Sequence, residues 1–154
     1  MLKNNLNSVT TKLEEIFKSE NVKYQVVSNQ SIMFDGRDIM FAEGDREGQE
    51  DMPIQLNVTD DKYDLSYALR IKYDDKVSVL ECINDANCSS DTKFCLMSVG
   101  DYETIEFHTT TFNEVSCNAL FDAVDDFNNE VITICMMFHM NGVEVEITPP
   151  TWKK

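Results

Sequence analysis

The sequence predicts an α+β domain in which helices pack on an antiparallel sheet. Apolar residues recur at steps of three and four near both ends of the chain, which is typical of amphipathic helices. Between these ends, several short stretches alternate apolar and polar residues, as half-buried strands do. Because strands and helices are segregated, we expect an antiparallel sheet with an N-terminal helix, a short middle helix and a long C-terminal helix.

The N-terminal part of the chain predicts one helix followed by extended structure. The helix covers about residues 5–19. Its apolar face consists of Leu6, Val9, Leu13, Ile16 and Phe17. Extended structure begins at residues 24–27. A hairpin is predicted where residues 32–34 and 39–41 flank the polar segment 35–38, because that segment contains a glycine that can take a positive φ.

The middle of the chain predicts two strands, a short helix and a second hairpin. Residues 54–58 and 65–73 alternate apolar and polar. One aspartate of the pair at 74–75 can cap the helix that follows. The core face of this helix is predicted to consist of Val77, Leu80, Ile83 and Ala86. The hairpin pairs residues 94–99 with residues 102–107 across a Gly-Asp turn.

A long helix is predicted after Asn113, which is a suitable cap. Its apolar residues follow steps of four, three, four, three and four: Leu120, Val124, Phe127, Val131, Ile134 and Phe138. Asn141-Gly142 would end it. The β-branched residues 131–134 leave an alternative open, in which they form a strand that pairs with residues 143–147. The helix is the favoured interpretation.

Composition bounds the class of protein. The chain has 154 residues, and 13 Lys and Arg stand against 28 Asp and Glu, so the net charge is −15. One core can form in a chain of this length, so residues 1–154 are expected to be a single domain. The negative charge argues against nucleic acid and anionic membrane surfaces as partners. No apolar run approaches the roughly 18 residues that span a bilayer.

No catalytic, cofactor-binding or metal-binding residues are predicted. His108 and His139 lie far apart, and no two of the five cysteines are spaced C-x-x-C. A zinc site that includes Cys95, His108 and Cys117, or a cysteine–histidine nucleophile, would need a juxtaposition that the spacing does not indicate. Phosphate-binding glycine motifs are absent. The odd number of cysteines and the lack of an apolar leader behind Met1 predict reduced thiols and a cytoplasmic protein.

One segment resembles a known family. Residues 77–87 read VSVLECINDAN, and Lys93-Phe94 then opens a strand. This arrangement is similar to the middle of the YbjN-like family of bacterial sensory-transduction regulators, where an I-N-x-x-N segment precedes a hairpin and a long C-terminal helix. The resemblance implies a type III secretion chaperone-like fold. It further implies a domain that pairs two-fold and holds a partner polypeptide.

The end of the last predicted helix is apolar on nearly all sides. Between residues 131 and 140, only Thr133 and His139 are polar. A sheet covers one side of such a helix, so we expect a homodimer whose contact includes Ile134, Met137 and Phe138. The predicted function is non-enzymatic binding of a protein partner. The alternatives are an acidic inhibitor, such as an immunity protein or DNA mimic, and an enzyme with a pocket around His108 or a cysteine.

Overall fold

A computed structural model describes residues 6–40, 50–58, 63–89, 92–99, 102–111 and 117–146. Its helices are α1 (Leu6–Ser19), α2 (Gly36–Met40), α3 (Lys76–Ser89) and α4 (Cys117–Met140). Its strands are β1 (Tyr24–Ser28), β2 (Ser31–Asp35), β3 (Pro53–Val58), β4 (Tyr63–Lys72), β5 (Lys93–Val99), β6 (Tyr102–Thr111) and β7 (Glu144–Glu146). The described strands form one antiparallel sheet in the order β1-β2-β3-β4-β6-β5, and β7 pairs with β4. The predicted α+β class is confirmed.

The described chain divides into two compact units. The first extends to Leu65 and includes the start of α4 as far as Asp126. The second covers Ser66 to Thr109 together with the rest of α4 and β7. Both β4 and α4 therefore contribute residues to each unit.

In the first unit, apolar side chains of α1 pack against residues of β1 and β2. Leu13 and Phe17, two residues of the predicted apolar face, are completely buried. The Phe17 ring stacks on Phe34 of β2, with 5.0 Å between ring centroids, and contacts Tyr24 of β1 at 5.6 Å. Offset aromatic contacts at these distances stabilise a core beyond the area that they bury.

The hairpin predicted around residues 35–38 is wrong. β2 pairs with β1 on one side and with β3 on the other, and residues 36–40 form α2 instead of a returning strand. Phe41 lies outside the described residues. The physical reason is the capping of α2 by Asp35, whose buried Oδ1 accepts the N–H groups of Arg37 at 3.0 Å and Met52 at 2.9 Å.

Gly36 serves close packing rather than a turn. A Cβ built at Gly36 would lie 2.5 Å from Cδ1 of Ile54, so a side chain there would displace Ile54 from its buried position. The Gly36 N–H donates to the carbonyl of Met52 at 2.8 Å. The glycine in the sequence therefore marks a contact between α2 and β3, and not the positive φ that the hairpin would have required.

The C-terminal helix is confirmed, and the strand alternative for residues 131–134 is wrong. All six residues of the four-and-three pattern are buried. The helix ends at Met140 and is followed by Gly142, whose φ of 75° is typical of a helix C-terminus. The chain then enters β7, which pairs with β4 and not with residues of α4. Among the described residues, no helix combines the length and apolar character needed to cross a membrane.

The predicted hairpin of residues 94–107 is also confirmed, whereas the predicted core face of α3 is only half right. β5 and β6 pair without interruption from Lys93 opposite His108 to Val99 opposite Tyr102. On α3, Asp75 is the cap, since its Oδ1 accepts the Val77 N–H at 3.0 Å. The buried side of α3 consists of Val79, Cys82, Ile83 and Ala86, while Val77 and Leu80 are exposed.

Candidate interaction surface

The outer side of α4 carries a row of large apolar side chains that are exposed in the part of the chain that the structure describes. Ile132, Met136 and Met140 are 44%, 61% and 82% exposed. They lie four residues apart, so they follow one side of the helix. We call these three residues the outer row. The opposite side of the same helix is the buried pattern described above, so α4 is apolar on two sides.

The structure places the three residues predicted for a dimer contact on or near the inner side of α4. Ile134 and Phe138 are buried within the chain, and Met137 is half-buried. A second protein that approaches α4 would therefore meet the outer row first. The sequence did contain a signal for this distinction, because Ile134 and Phe138 both belong to the four-and-three pattern that predicts the core.

Smaller exposed apolar groups lie on other elements. Val77 and Leu80 of α3 are 61% and 47% exposed, and Met97 of β5 is 41% exposed. Val26 and Val27 at the end of β1 are exposed as well. Single apolar side chains on a surface are ordinary. The outer row differs from them because it repeats along a helix of 24 residues.

The described cysteine and histidine side chains do not form a common site. Cys82 is buried, and burial raises the pKa of its thiol, with smaller contributions from the nearby charges of Asp85 and Glu81. Nε2 of His108 lies 2.9 Å from a carboxylate oxygen of Glu106, on the same face of β6. Within the described residues, no three His, Cys, Asp or Glu side chains converge where they could hold a metal ion.

The asparagine of the resemblance segment has a structural role that the sequence reasoning missed. Nδ2 of Asn87 donates to the carbonyl of Phe94 at 3.0 Å, and Oδ1 of Asn87 accepts the Phe94 N–H at 2.8 Å. One carboxamide thus takes both backbone hydrogen bonds of a strand residue, as a neighbouring strand would. Nζ of Lys93 also donates to the Asn87 carbonyl at 3.0 Å. Asn84, the other asparagine of the segment, is exposed.

Charged contacts near the strand ends are exposed. Nζ of Lys72 lies 2.8 Å from Oε1 of Glu146, across the pair formed by β4 and β7. This hydrogen bond and the charge of Lys72 lower the pKa of the Glu146 carboxyl. The Tyr73 hydroxyl interacts with Glu103, which raises the pKa of the phenol. Exposed pairs of this kind contribute little to stability, so we treat them as surface features.

The order of helices and strands defines the class of this protein as a YbjN-like α+β fold, as the resemblance implies. Two solved structures share that fold. YbjN from E. coli, a proposed transcription regulator, matches with a TM-score of 0.61 over 87% of this chain and 93% of that chain, at 11% identity. An uncharacterised protein from Methanothermobacter thermautotrophicus matches with a TM-score of 0.61 over 87% and 99%, at 9% identity.

The likeness is one of fold. No protein-family model matches the sequence, and a comparison with curated proteins finds no match. Because a fold hosts many functions, the function has to be argued from the surface and chemistry of this chain.

Proposed function

We propose that this chain acts as a single, non-enzymatic interaction domain, a chaperone-like or regulatory adaptor that binds a partner polypeptide. The observation that carries the proposal is the outer row of α4. A row of large apolar side chains along one helix is typical of a surface that another protein covers. Two of its three members are methionines, whose flexible side chains adapt to different partners.

The negative charge of α4 and of the whole chain favours a basic partner. Residues 117–140 of α4 contain Asp122, Asp125, Asp126 and Glu130 but no Lys or Arg. The whole chain has a net charge of −15. Apolar contacts would supply the affinity, and the acidic surroundings would favour a basic partner over an acidic one. One of the two structural neighbours is a proposed transcription regulator, which supports a regulatory role over an enzymatic one.

The same row supports pairing with a second copy. Complete burial of an Ile or Met side chain is worth about 1.5–3 kcal/mol before the entropy of association is subtracted. Two-fold pairing is the commonest closed arrangement of identical chains. We therefore retain the homodimer as the state of the chain without its partner and assign its contact to Ile132, Met136 and Met140. The partner would replace the second copy at this row. A cytoplasmic location is proposed with it, and the free thiols of Cys82, Cys88 and Cys95 support it.

The test compares two variants of α4 that add the same charge at different positions. Met136→Glu places a carboxylate in the outer row, and Asn129→Glu places one at an exposed position two turns earlier. Each protein is immobilised, exposed to a lysate of the native host, and analysed by quantitative mass spectrometry. We expect one or a few proteins to be retained by wild type and by N129E, and at least tenfold less of them by M136E.

Light scattering coupled to size exclusion then tests pairing. We expect a dimer for wild type and N129E, and a 17.7 kDa monomer for M136E. Partner capture that is equal for all three proteins would show that the outer row is not the contact surface. The alternative of an acidic inhibitor makes a different prediction, namely that the retained protein is a basic DNA-processing enzyme or toxin whose activity falls when this chain is added.

A further inference from the structure

The outer edge of β5 differs from the opposite edge of the sheet. β5 is the last strand in the sheet order, so β6 is its one neighbour among the described strands. Its pairing with β6 is continuous over all seven residues. β1, at the other end of the order, has a register shift between Val26 and Ser28. A register shift interrupts the regular edge of a strand and disfavours further pairing, and the pairing of β5 has none.

The hydrogen bonds of Asn87 identify which backbone groups of β5 face outward. Both backbone groups of Phe94 bond to the Asn87 side chain, so Phe94 points away from β6. Successive residues of an antiparallel strand alternate in this respect. The N–H and C=O groups of Leu96 and Ser98 therefore face outward too. No described residue occupies these positions, whereas Asn87 occupies the first one.

After Lys93, the residues of β5 do not protect this edge. From Phe94 to Val99 the strand has no charged residue and no proline, the two devices that commonly block pairing. Cys95 and Met97 are exposed on one face of it. With respect to the described residues, β5 is therefore a largely apolar strand without a register shift that is open at Leu96 and Ser98.

Acidic side chains lie on the two elements beside β5. On β6, Glu106 lies opposite Cys95, and Glu103 lies opposite Ser98. On α3, which packs against β5, Glu81 and Asp85 are exposed. The cation at the start of the strand, Lys93, donates to the Asn87 carbonyl at 3.0 Å. These four acidic side chains outnumber Lys93, so the charges near the edge favour a basic occupant over an acidic one.

We propose that the outer edge of β5 binds an extended, basic segment of a partner polypeptide, which adds a strand through the backbone groups of Leu96 and Ser98. This inference rests on the proposed function, because it names the chemistry of the partner and a second place where it binds. Backbone hydrogen bonds would provide the affinity, and Met97 and Cys95 would contact alternate side chains of the added strand. Asn87 sets where the pairing begins.

Synthetic peptides provide the first test. The probe is a ten-residue peptide of alternating lysine and valine, and one control carries N-methyl groups on alternate backbone nitrogens, which removes hydrogen-bond donors but keeps the charge. A second control replaces lysine by glutamate. We expect the lysine peptide to slow amide hydrogen exchange of Leu96 and Ser98 by at least tenfold, and neither control to do so. Equal protection by the N-methylated peptide, or protection that spares these two amides, would overturn the proposal.

A proline substitution provides the second test. Ser98→Pro removes an outward N–H without removing a hydrogen bond to β6, and proline is tolerated at such edge positions. Ser98→Ala keeps that N–H and serves as the matched control. We expect S98P to bind the lysine peptide at least fivefold more weakly than wild type and S98A to bind it equally. Slow amide hydrogen exchange of β6 in S98P checks that the sheet is intact. The N-methylated peptide tests the loss of backbone hydrogen bonds without any substitution in the protein.

The outcomes separate this inference from the proposed function. If a partner captured from lysate is lost in M136E but retained fully by S98P, the proposed function stands and the β5 inference falls. If Leu96 and Ser98 become protected as the concentration of the protein alone rises, a second copy occupies the edge and the basic segment is overturned. Loss of the captured partner in both S98P and M136E, with retention by S98A, supports both.

Discussion

The helices α3 and α4 both carry apolar residues on more than one side, but the sequence identifies the buried side of only one of them. In α4, the residues at steps of four and three are all buried, and the outer row is exposed. In α3, Ile83 and Ala86 are buried as expected, whereas Val77 and Leu80 face outward. The comparison shows under which conditions the spacing of apolar residues is enough to predict which side of a helix is buried.

Length is the first reason for the difference. α4 has 24 residues, so six large apolar side chains must share one side and a single rotation of the helix satisfies all of them. α3 has 14 residues, and two rotations bury nearly equal numbers of apolar side chains. Polar contacts can then decide between them. The hydrogen bonds from Asn87 to Phe94 hold the buried side of α3 toward β5.

The largest expected effect is at the inner side of α4. Phe138→Ala removes a side chain that is 1% exposed, and the lost contacts and the cavity should lower the free energy of unfolding by about 3–5 kcal/mol. Met140→Ala, two residues further along the same helix, should change it by less than about 0.5 kcal/mol when the protein is dilute enough to be monomeric, because Met140 is exposed within a single chain. Urea denaturation measures both values. Equal losses for the two variants would mean that the inner and outer sides of α4 are not distinct.

A smaller effect is expected at Asn87 of α3. Asn87→Ala leaves the backbone groups of Phe94 without their partner and should lower the free energy of unfolding by about 1–3 kcal/mol. Asn84→Ala is the matched control, because Asn84 lies one turn earlier and is exposed, so its loss should stay within about 0.5 kcal/mol. If N84A is the more damaging variant, polar contacts of Asn87 do not set the rotation of α3.

The remaining differences between sequence and structure have similar local causes. The strands that alternate cleanly, such as β4, were predicted within two residues of their ends, because a period of two is a strong signal when one face is buried. The segment around Gly36 was mistaken for a hairpin, since a glycine between apolar stretches suits a turn and a tight contact equally well. The space that Ile54 takes beside Gly36 depends on residues far apart in the sequence.

The sequence predicts an apolar contact surface on the last helix, and the structure buries two of the three residues chosen for it, Ile134 and Phe138. An apolar stretch of helix predicts that its side chains contact other apolar groups. It does not distinguish contacts within the chain from contacts with another protein. Ile134 and Phe138 could be assigned to the core only by giving the four-and-three pattern priority over the apolar run. The edge of β5 had no sequence signal at all, because strand order and the bonds of Asn87 exist only in the folded chain.

The smallest expected effect is a difference in labelling rate between two cysteines on different sides of α3. Cys82 is buried and its pKa is raised by burial and by Asp85 and Glu81, while Cys88 is exposed. The thiolate is the form that reacts with iodoacetamide, so Cys88 should be labelled at least tenfold faster than Cys82 at pH 8, as measured by peptide mapping.

The pH dependence follows from the sign of the shift at Cys82. Because the folded state holds this thiol proton more tightly than the unfolded state, the unfolded state loses it first as pH rises. Stability should therefore be unaffected below the ordinary thiol pKa and should decline above it, until the pH exceeds the raised value. Cys82→Ser, which cannot ionise in this range, should remove that part of the decline.

Labelling of Cys82 as fast as Cys88 in the folded protein would place Cys82 on the exposed side of α3 and would contradict the rotation on which the comparison with α4 depends.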